Sequence, residues 1–297
     1  MQDNRTFDHI SALPCWTGTP AIEPLIGGMT NRNYLVADAS GQRYVVRVGR
    51  DLLEHGALRF NELAAARAAH LAGISPEVIF AGDGLMVSRF IGGRTLSSEN
   101  LRDPPTLTHV VELLRRCHDD IPAHFRGPAL IFWVFQVIRN YLTVLGDHDA
   151  NLLALPLATL AQRNQQLEAA VGPVNIVFGH NDLLAANIID DGSRLWLIDW
   201  DYAGFNTPLF DLANLASNNA LTPELETLLL ESYFRMPLDD NRRRAFTAMK
   251  CASLLREGLW GAVSQLTSTH DFDYARYARD YLARFELMWE NLEDSNG

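Results

Sequence analysis

A chain of 297 residues with 47% hydrophobic and 21% charged side chains has the composition of a globular protein, as one large domain or two modest ones. A formal net charge of −11 argues against nucleic-acid and anionic-membrane partners, which require a basic face, and is compatible with a cationic substrate. In chain order, the first ninety residues read as strands and turns around one helix. "NYLVADASGQRYVVRVG" (33–49) is a pair of β-rich runs split by a turn. "ALRFNELAAARAAHLAG" (57–73) is helical and stops at Gly73. "EVIFAGDGLMVSRFIGG" (77–93) is a second hairpin turning at Asp83-Gly84, and Gly92-Gly93 marks a hinge.

Beyond the hinge the pattern is mainly helical, with helices expected at 106–119, 131–146, 153–171, 208–218, 222–234, 240–266 and 273–293. Short strands "NIVFG", "ANII" and "LWLID" interrupt them between 175 and 200. The expected architecture is α+β: a small β-rich N-terminal lobe (1–91) and a larger, mainly helical C-terminal lobe (92–297). Cys15, Cys117 and Cys251 form no CxxC pair, so a reduced chain with incidental thiols is expected. "MQDNRTFDHI" lacks the basic and apolar regions of a signal peptide, and runs such as "LIFWVFQVI" (130–138) fall short of the ~20 residues of a membrane span, so a cytoplasmic protein is expected.

The chemistry concentrates in "FGHNDLLAANIIDDGSRLWLIDWD" (178–201), where acidic and amide groups flank apolar runs. Buried charge needs a counter-charge, and a metal ion is the first candidate. Asp182 and Asn187 are spaced D-x-x-x-x-N, and Asp199 ends a strand twelve positions later. Phosphoryl transfer uses such a set. Asp182 would receive the proton of an attacking hydroxyl, Asn187 would offer a neutral oxygen to Mg²⁺, and Asp199 would bridge Mg²⁺ to nucleotide phosphates. Asp201 is an additional candidate ligand. Asp190 and Asp191 read as turn residues of a solvated hairpin. His180 reads either as a loop-orienting group or as a satisfied buried histidine.

"HNDLLAANII", "LWLIDWDYA" and "FDLANLASNN" together resemble the choline and ethanolamine kinases, and more distantly the aminoglycoside phosphotransferases. The resemblance spans roughly Ile22 to Glu290 and is weak in the helices at 100–170. It implies a two-lobed protein-kinase-like fold, ATP and Mg²⁺ as cofactors, and a small amino-alcohol substrate. A homodimer is compatible with it. "LIGGMTNRNYLV" (25–36) resembles the family's nucleotide loop, which implies phosphate contacts from Gly28, Thr30 and Asn31. Arg47 stands where the wider kinase pattern has Lys, with Glu62 as its expected helix partner and Glu54 as a competitor. Adenine is expected against the hinge near Arg89 and Ile91. Asp211 resembles a structural Asp supporting the catalytic loop. "LLREGLWGAVSQL" (254–266) resembles the choline-site helix: Trp260 matches a family Trp, while Glu257 stands where many members have another. With Tyr202, these residues imply an acceptor pocket for choline or ethanolamine. Tyr274, Tyr277, Tyr281 and Trp289 read as helix packing. Phosphorylation of thiamine, a sugar or an aminoglycoside remains open, as does a catalytically silent nucleotide-binding pseudokinase.

Overall fold

The computed structural model describes residues 2–25, 30–82, 84–148 and 153–294. Gly28 and Asp83 lie outside them. An N-terminal helix, α1 (Gln2–Ser11), precedes strands β1 (Ala21–Leu25), β2 (Arg32–Ala37) and β3 (Arg43–Val48). Helix α2 (Arg59–Leu71) and strands β4 (Val78–Gly82) and β5 (Leu85–Arg89) complete the first lobe. The five strands form an antiparallel sheet in the order β1-β2-β3-β5-β4. Alternate side chains of β2, β3 and β5, among them Tyr34, Val36, Tyr44, Val46 and Val87, point into one small core. Helix α1, absent from the sequence-based expectation, closes that core: Ile10 is fully buried and Phe7 meets Tyr34 edge-on at 5.6 Å.

The connection to the second lobe is β6 (Arg94–Thr95) and a short helix α3 (Ser98–Leu101). Helices α4 (Pro104–His124), α5 (Val134–Asp147) and α6 (Leu157–Val171) follow. Helix α4 runs through Pro122, beyond the expected stop at 119. Then come the short strands β7 (Val177–Gly179), β8 (Ile188–Asp190), β9 (Leu195–Leu197) and β10 (Gly204–Asn206). Strand β10 pairs with β7, and β6, β8 and β9 form a three-stranded sheet that ties the hinge to the acidic hairpin. The chain ends in α7 (Pro208–Asn218), α8 (Pro223–Phe234), α9 (Asp240–Thr267) and α10 (Tyr274–Asp294).

Helix α9 is the axis of this lobe; α5, α6, α7 and α10 all pack on it. Gly258 and Gly261 let α10 approach closely. A Cβ on them would meet Leu282 Cγ at 2.6 Å and Tyr277 Cδ1 at 2.9 Å, so larger residues would push the two helices apart. Among the described residues no helix is long and apolar enough to cross a membrane.

Candidate active site

The acidic stretch folds as a loop between β7 and β8, and its shape is fixed by buried groups beneath it. Asp211, in the first turn of α7, accepts the backbone N–H of His180 at 2.8 Å and of Asn181 at 2.7 Å. His118 of α4 supports the same carboxylate through Nε2 at 2.8 Å, while Tyr233 reaches its Nδ1 at 2.7 Å. Burial pushes the Asp211 carboxyl up, but these hydrogen bonds and the nearby histidines outweigh it and hold it below the usual range. Asp211 therefore takes the supporting place that its resemblance implied.

Asn181 adopts φ = 66°, a left-handed conformation that a non-glycine residue enters at a cost of about 1–2 kcal/mol. Its side chain stabilises the kink. Nδ2 donates to the carbonyls of Tyr202 at 2.9 Å and Gly204 at 3.2 Å, and Asn206 donates to its Oδ1 at 3.0 Å. His180 joins the loop to the strand before Asp199. Its Nε2 donates to the Ile198 carbonyl at 2.9 Å, and its Nδ1 accepts the Asp182 N–H at 3.3 Å. Burial holds the ring below the ordinary imidazole range, so it sits neutral, with both nitrogens engaged in positioning.

Asp182 emerges at the floor of the cleft between the lobes. Burial pushes its carboxyl well above the usual range; Arg256 opposes the shift, and Glu257, Asp199 and Asp201 add to it. Asn187 donates Nδ2 to the Asp182 carbonyl at 2.9 Å, which leaves its Oδ1 as an acceptor on the cleft side. Asp199 follows the strand in a left-handed conformation, φ = 71°. A cavity of about 440 Å³ is lined by Asp182, Asn187, Asp199, Tyr202, Arg256 and Trp260 among others. It adjoins a second cavity of about 340 Å³ against the hinge, lined by Phe90, Ile91 and Met86, and the two share Arg47 and Asp199.

Arg47 bridges the lobes. It contacts Glu62, as the sequence suggests, and also pairs with Asp199 at 2.6 Å and Asp201 at 2.9 Å. Arg59, one turn before Glu62 on α2, joins them: it meets Glu62 at 2.5 Å and Asp201 at 3.0 Å. No pattern in the chain marks this second guanidinium. Asp201 also accepts Asn31 Nδ2 at 2.8 Å, so both its oxygens are engaged by donors. Burial raises Asp201, but Arg47 and Arg59 outweigh it and keep it below the usual range; Glu62, its neighbour, is pushed up to about 7 by burial against the pull of Arg47. Thr30 lines the cleft beside the amide of Asn31. Arg89 and Ile91 both border the hinge cavity; Arg89 donates its backbone N–H to the Glu77 carbonyl and pairs its guanidinium with the Glu77 carboxylate. Glu54 borders a different cleft from Arg47.

The donor set suits Mg²⁺. That ion keeps several waters and takes one or two protein oxygens together with phosphates, and Asn187 Oδ1 and the cleft-facing Asp199 carboxylate supply such a pair. No denser cluster of metal-binding side chains occurs among the described residues. Asp190 and Asp191 close the β8–β9 turn. Asp191 accepts the N–H groups of Ser193 at 2.8 Å and Arg194 at 2.9 Å and the Trp196 indole at 2.7 Å, which holds its carboxyl far below the usual range.

On the α9 side of the cleft, Trp260 is 3% exposed and donates Nε1 to the Tyr202 hydroxyl at 2.8 Å, with Tyr274 and Tyr277 edge-on to its ring. Glu257 is paired on each oxygen: Arg256 Nη1 at 2.7 Å on one, the Tyr277 hydroxyl at 2.8 Å on the other. Asn214 links this cluster to the loop. It accepts the Leu183 N–H at 2.6 Å and donates to Ser253 at 3.1 Å and Glu257 at 3.3 Å. Arg256 and Asn214 lie within the quoted family-like stretches, but the sequence reading assigned them no role.

The same chain matches the choline/ethanolamine kinase family over residues 22–229. The LicA protein of Haemophilus influenzae is 30% identical to it over 278 residues, covering 91% of this chain and 79% of that protein. A solved choline/ethanolamine kinase family protein from Mesorhizobium loti superposes with a TM-score of 0.79 at 28% identity, covering 98% and 95% of the two chains. The choline kinase LicA of Streptococcus pneumoniae superposes at 0.78, with 22% identity and 99% of each chain covered, a likeness of fold. Small β-rich lobe, helical lobe and a polar cleft between them are thus the two-lobed protein-kinase-like fold. By sequence match and fold alike, the chain belongs to the choline/ethanolamine kinase family and is a phosphotransferase with an alcohol group as acceptor.

Proposed function

We propose that this protein transfers the γ-phosphoryl group of ATP to the hydroxyl of a small amino alcohol, choline or ethanolamine being the first acceptors to test. Residues 1–91 would hold the nucleotide and residues 92–297 the acceptor. The observation that carries the reading is the Asn187 amide. Its nitrogen is held by the Asp182 carbonyl, so its oxygen lies on the cleft that Asp182 and Asp199 also line.

Adenine would occupy the hinge cavity against Phe90 and Ile91, with Thr30 and Arg47 toward the phosphates. Asn187 and Asp199 would hold Mg²⁺, and Asp201 would act through the arginines it positions. Bound there, Mg²⁺ neutralises phosphate charge. Asp182 orients the acceptor hydroxyl. As the acceptor oxygen bonds to Pγ, the bond from Pγ to the ADP oxygen breaks, and the hydroxyl proton passes to the Asp182 carboxylate. The raised Asp182 pKa favours accepting that proton. Tyr202, Glu257 and Trp260 would form the wall against the rest of the acceptor.

The experiment is ADP release with ATP and Mg²⁺ over a panel of hydroxyl acceptors. Acceleration by choline or ethanolamine supports the proposal. Acceleration only by thiamine, a sugar or an aminoglycoside would replace the acceptor, and nucleotide binding without turnover would mark a silent binding module.

A further inference from the structure

The loop from β3 to α2 belongs to the first lobe, yet its tip is buried in the second. Leu52 and Ala57 close it with a reciprocal pair of backbone hydrogen bonds of 2.9 and 3.2 Å, and Gly56 turns it at φ = 69°. His55 is the tip, 6% exposed. The Tyr141 hydroxyl of α5 lies 3.1 Å from its Nδ1, and the Ser264 hydroxyl of α9 lies 3.1 Å from its Nε2. The ring is edge-on to Tyr141 at 5.5 Å and tilted by 38° to the Trp260 ring at 5.6 Å.

His55 borders a different cleft from the one that holds Asp182. Burial pushes its ring down to about 3, and the Arg256 guanidinium adds to the shift, so the imidazole is neutral and carries no proton traffic near pH 7. A neutral imidazole offers one donor and one acceptor, and two hydroxyls match both. Packing alone could be met by an aliphatic side chain; two directed hydrogen bonds fix the orientation of the ring as well as its volume. The neighbour that this orientation serves is Trp260, which lines the cleft with Asp182. Its other contacts, the hydrogen bond to Tyr202 and the edges of Tyr274 and Tyr277, all come from the second lobe. His55 is the contact that comes from the lobe proposed to hold the nucleotide.

We propose that His55 is a positioning residue for the acceptor: pinned between Tyr141 and Ser264, it holds the Trp260 ring in place from the first lobe. This rests on the cleft around Asp182 and Trp260 being the acceptor site, and it assigns a residue of the first lobe to acceptor affinity rather than to the nucleotide. A displaced wall loosens the bound acceptor without touching the groups that handle phosphate.

The test measures kcat, the KM for ATP and the KM for choline or ethanolamine, whichever the wild type uses, in His55→Leu, which fills the space but makes neither hydrogen bond. The acceptor KM should rise roughly three- to tenfold, the worth of a neutral hydrogen bond, while kcat and the ATP KM hold. KM does not depend on the active fraction, so partial misfolding does not imitate this result. His55→Gln, which still reaches toward Ser264, should give a smaller rise, and Ser264→Ala, which removes one anchor, a rise in the same direction; these two carry the test if His55→Leu does not fold. In the background of Trp260→Phe the effect of His55→Leu should shrink, because both changes act on one ring. An acceptor KM unchanged in every variant, a joint rise of both KM values, or effects of His55→Leu and Trp260→Phe that simply multiply would overturn the inference and leave the proposed function standing. Phosphorylation of neither amino alcohol by the wild type removes the amino-alcohol reading and this inference with it.

Discussion

The two sides of the cleft are built in different ways. On the proposed phosphate side, Asp182, Asn187 and Asp199 come from one stretch of eighteen residues, and the loop is held by its own backbone on Asp211, His180 and Asn181. On the proposed acceptor side, Tyr202, Arg256, Glu257, Trp260 and Tyr277 come from a loop and two long helices, and they hold one another side chain to side chain. The phosphate side is thus a local device set by consecutive residues. The acceptor side is a product of helix packing, where one substitution shifts several partners. Damage to the first should strike the chemical step, and damage to the second should strike acceptor choice and stability.

The largest effect is expected from Asp182→Asn. It should lower kcat by roughly 10²–10⁴. Because burial disfavours the Asp182 carboxylate, removing the charge should leave the melting temperature unchanged or higher. A kcat near wild type would take Asp182 out of the chemistry. Next, Asp199→Asn, which tolerates the left-handed backbone, should abolish the strengthening of ATP binding by Mg²⁺ in a calorimetric titration. An unchanged titration would remove Asp199 from the metal site.

The pH dependence sharpens the same side. A carboxyl raised by burial holds its proton to higher pH, so the acid limb of kcat/KM should lie above the ordinary carboxylate range near pH 4, with activity lost as pH falls through it. An acid limb at or below pH 4 would contradict a base with a raised pKa.

On the acceptor side, Trp260→Phe keeps an aromatic core residue but loses the hydrogen bond to Tyr202. The expected result is a rise of a few-fold in acceptor KM with the ATP KM unchanged, since a neutral hydrogen bond contributes about 0.5–1.5 kcal/mol. A change in both constants would make Trp260 a core residue alone. The smallest effect is expected from Asp190→Ala in the exposed turn, which gives up a 3.5 Å pair with Arg94 and should leave kcat and both KM values within error.

The same division explains what the sequence disclosed. Both N-lobe hairpins and the seven long helices follow from period-two and helical patterns, and their bounds fall within a few residues of expectation. Helix α1 escaped because "QDNRTFDHIS" is mostly polar and shows only Phe7 and Ile10 as a helical pair. Strand β10 escaped because three residues carry no usable alternation. In the site, Asp182, Asn187 and Asp199 were readable because their spacing is local. Arg256 was not: in "LLREGLW" it reads as a surface residue, and adjacent helix positions do not ordinarily face each other. Its long side chain reaches Glu257 only because Tyr202, Phe132 and the packed helices around α9 enclose it. Asp201 read as an additional candidate ligand, and nothing in the sequence foretells that Arg59 and Asn31 converge on it.

The central claim is that this cleft passes a phosphoryl group from ATP to an amino-alcohol hydroxyl. The most direct measurement incubates the purified protein with ATP, Mg²⁺ and choline or ethanolamine, and quantifies the phosphomonoester and ADP together by mass spectrometry. The account predicts one ester formed for each ADP released, with at least one of these acceptors. ADP without ester, or neither product from any of them, would contradict it.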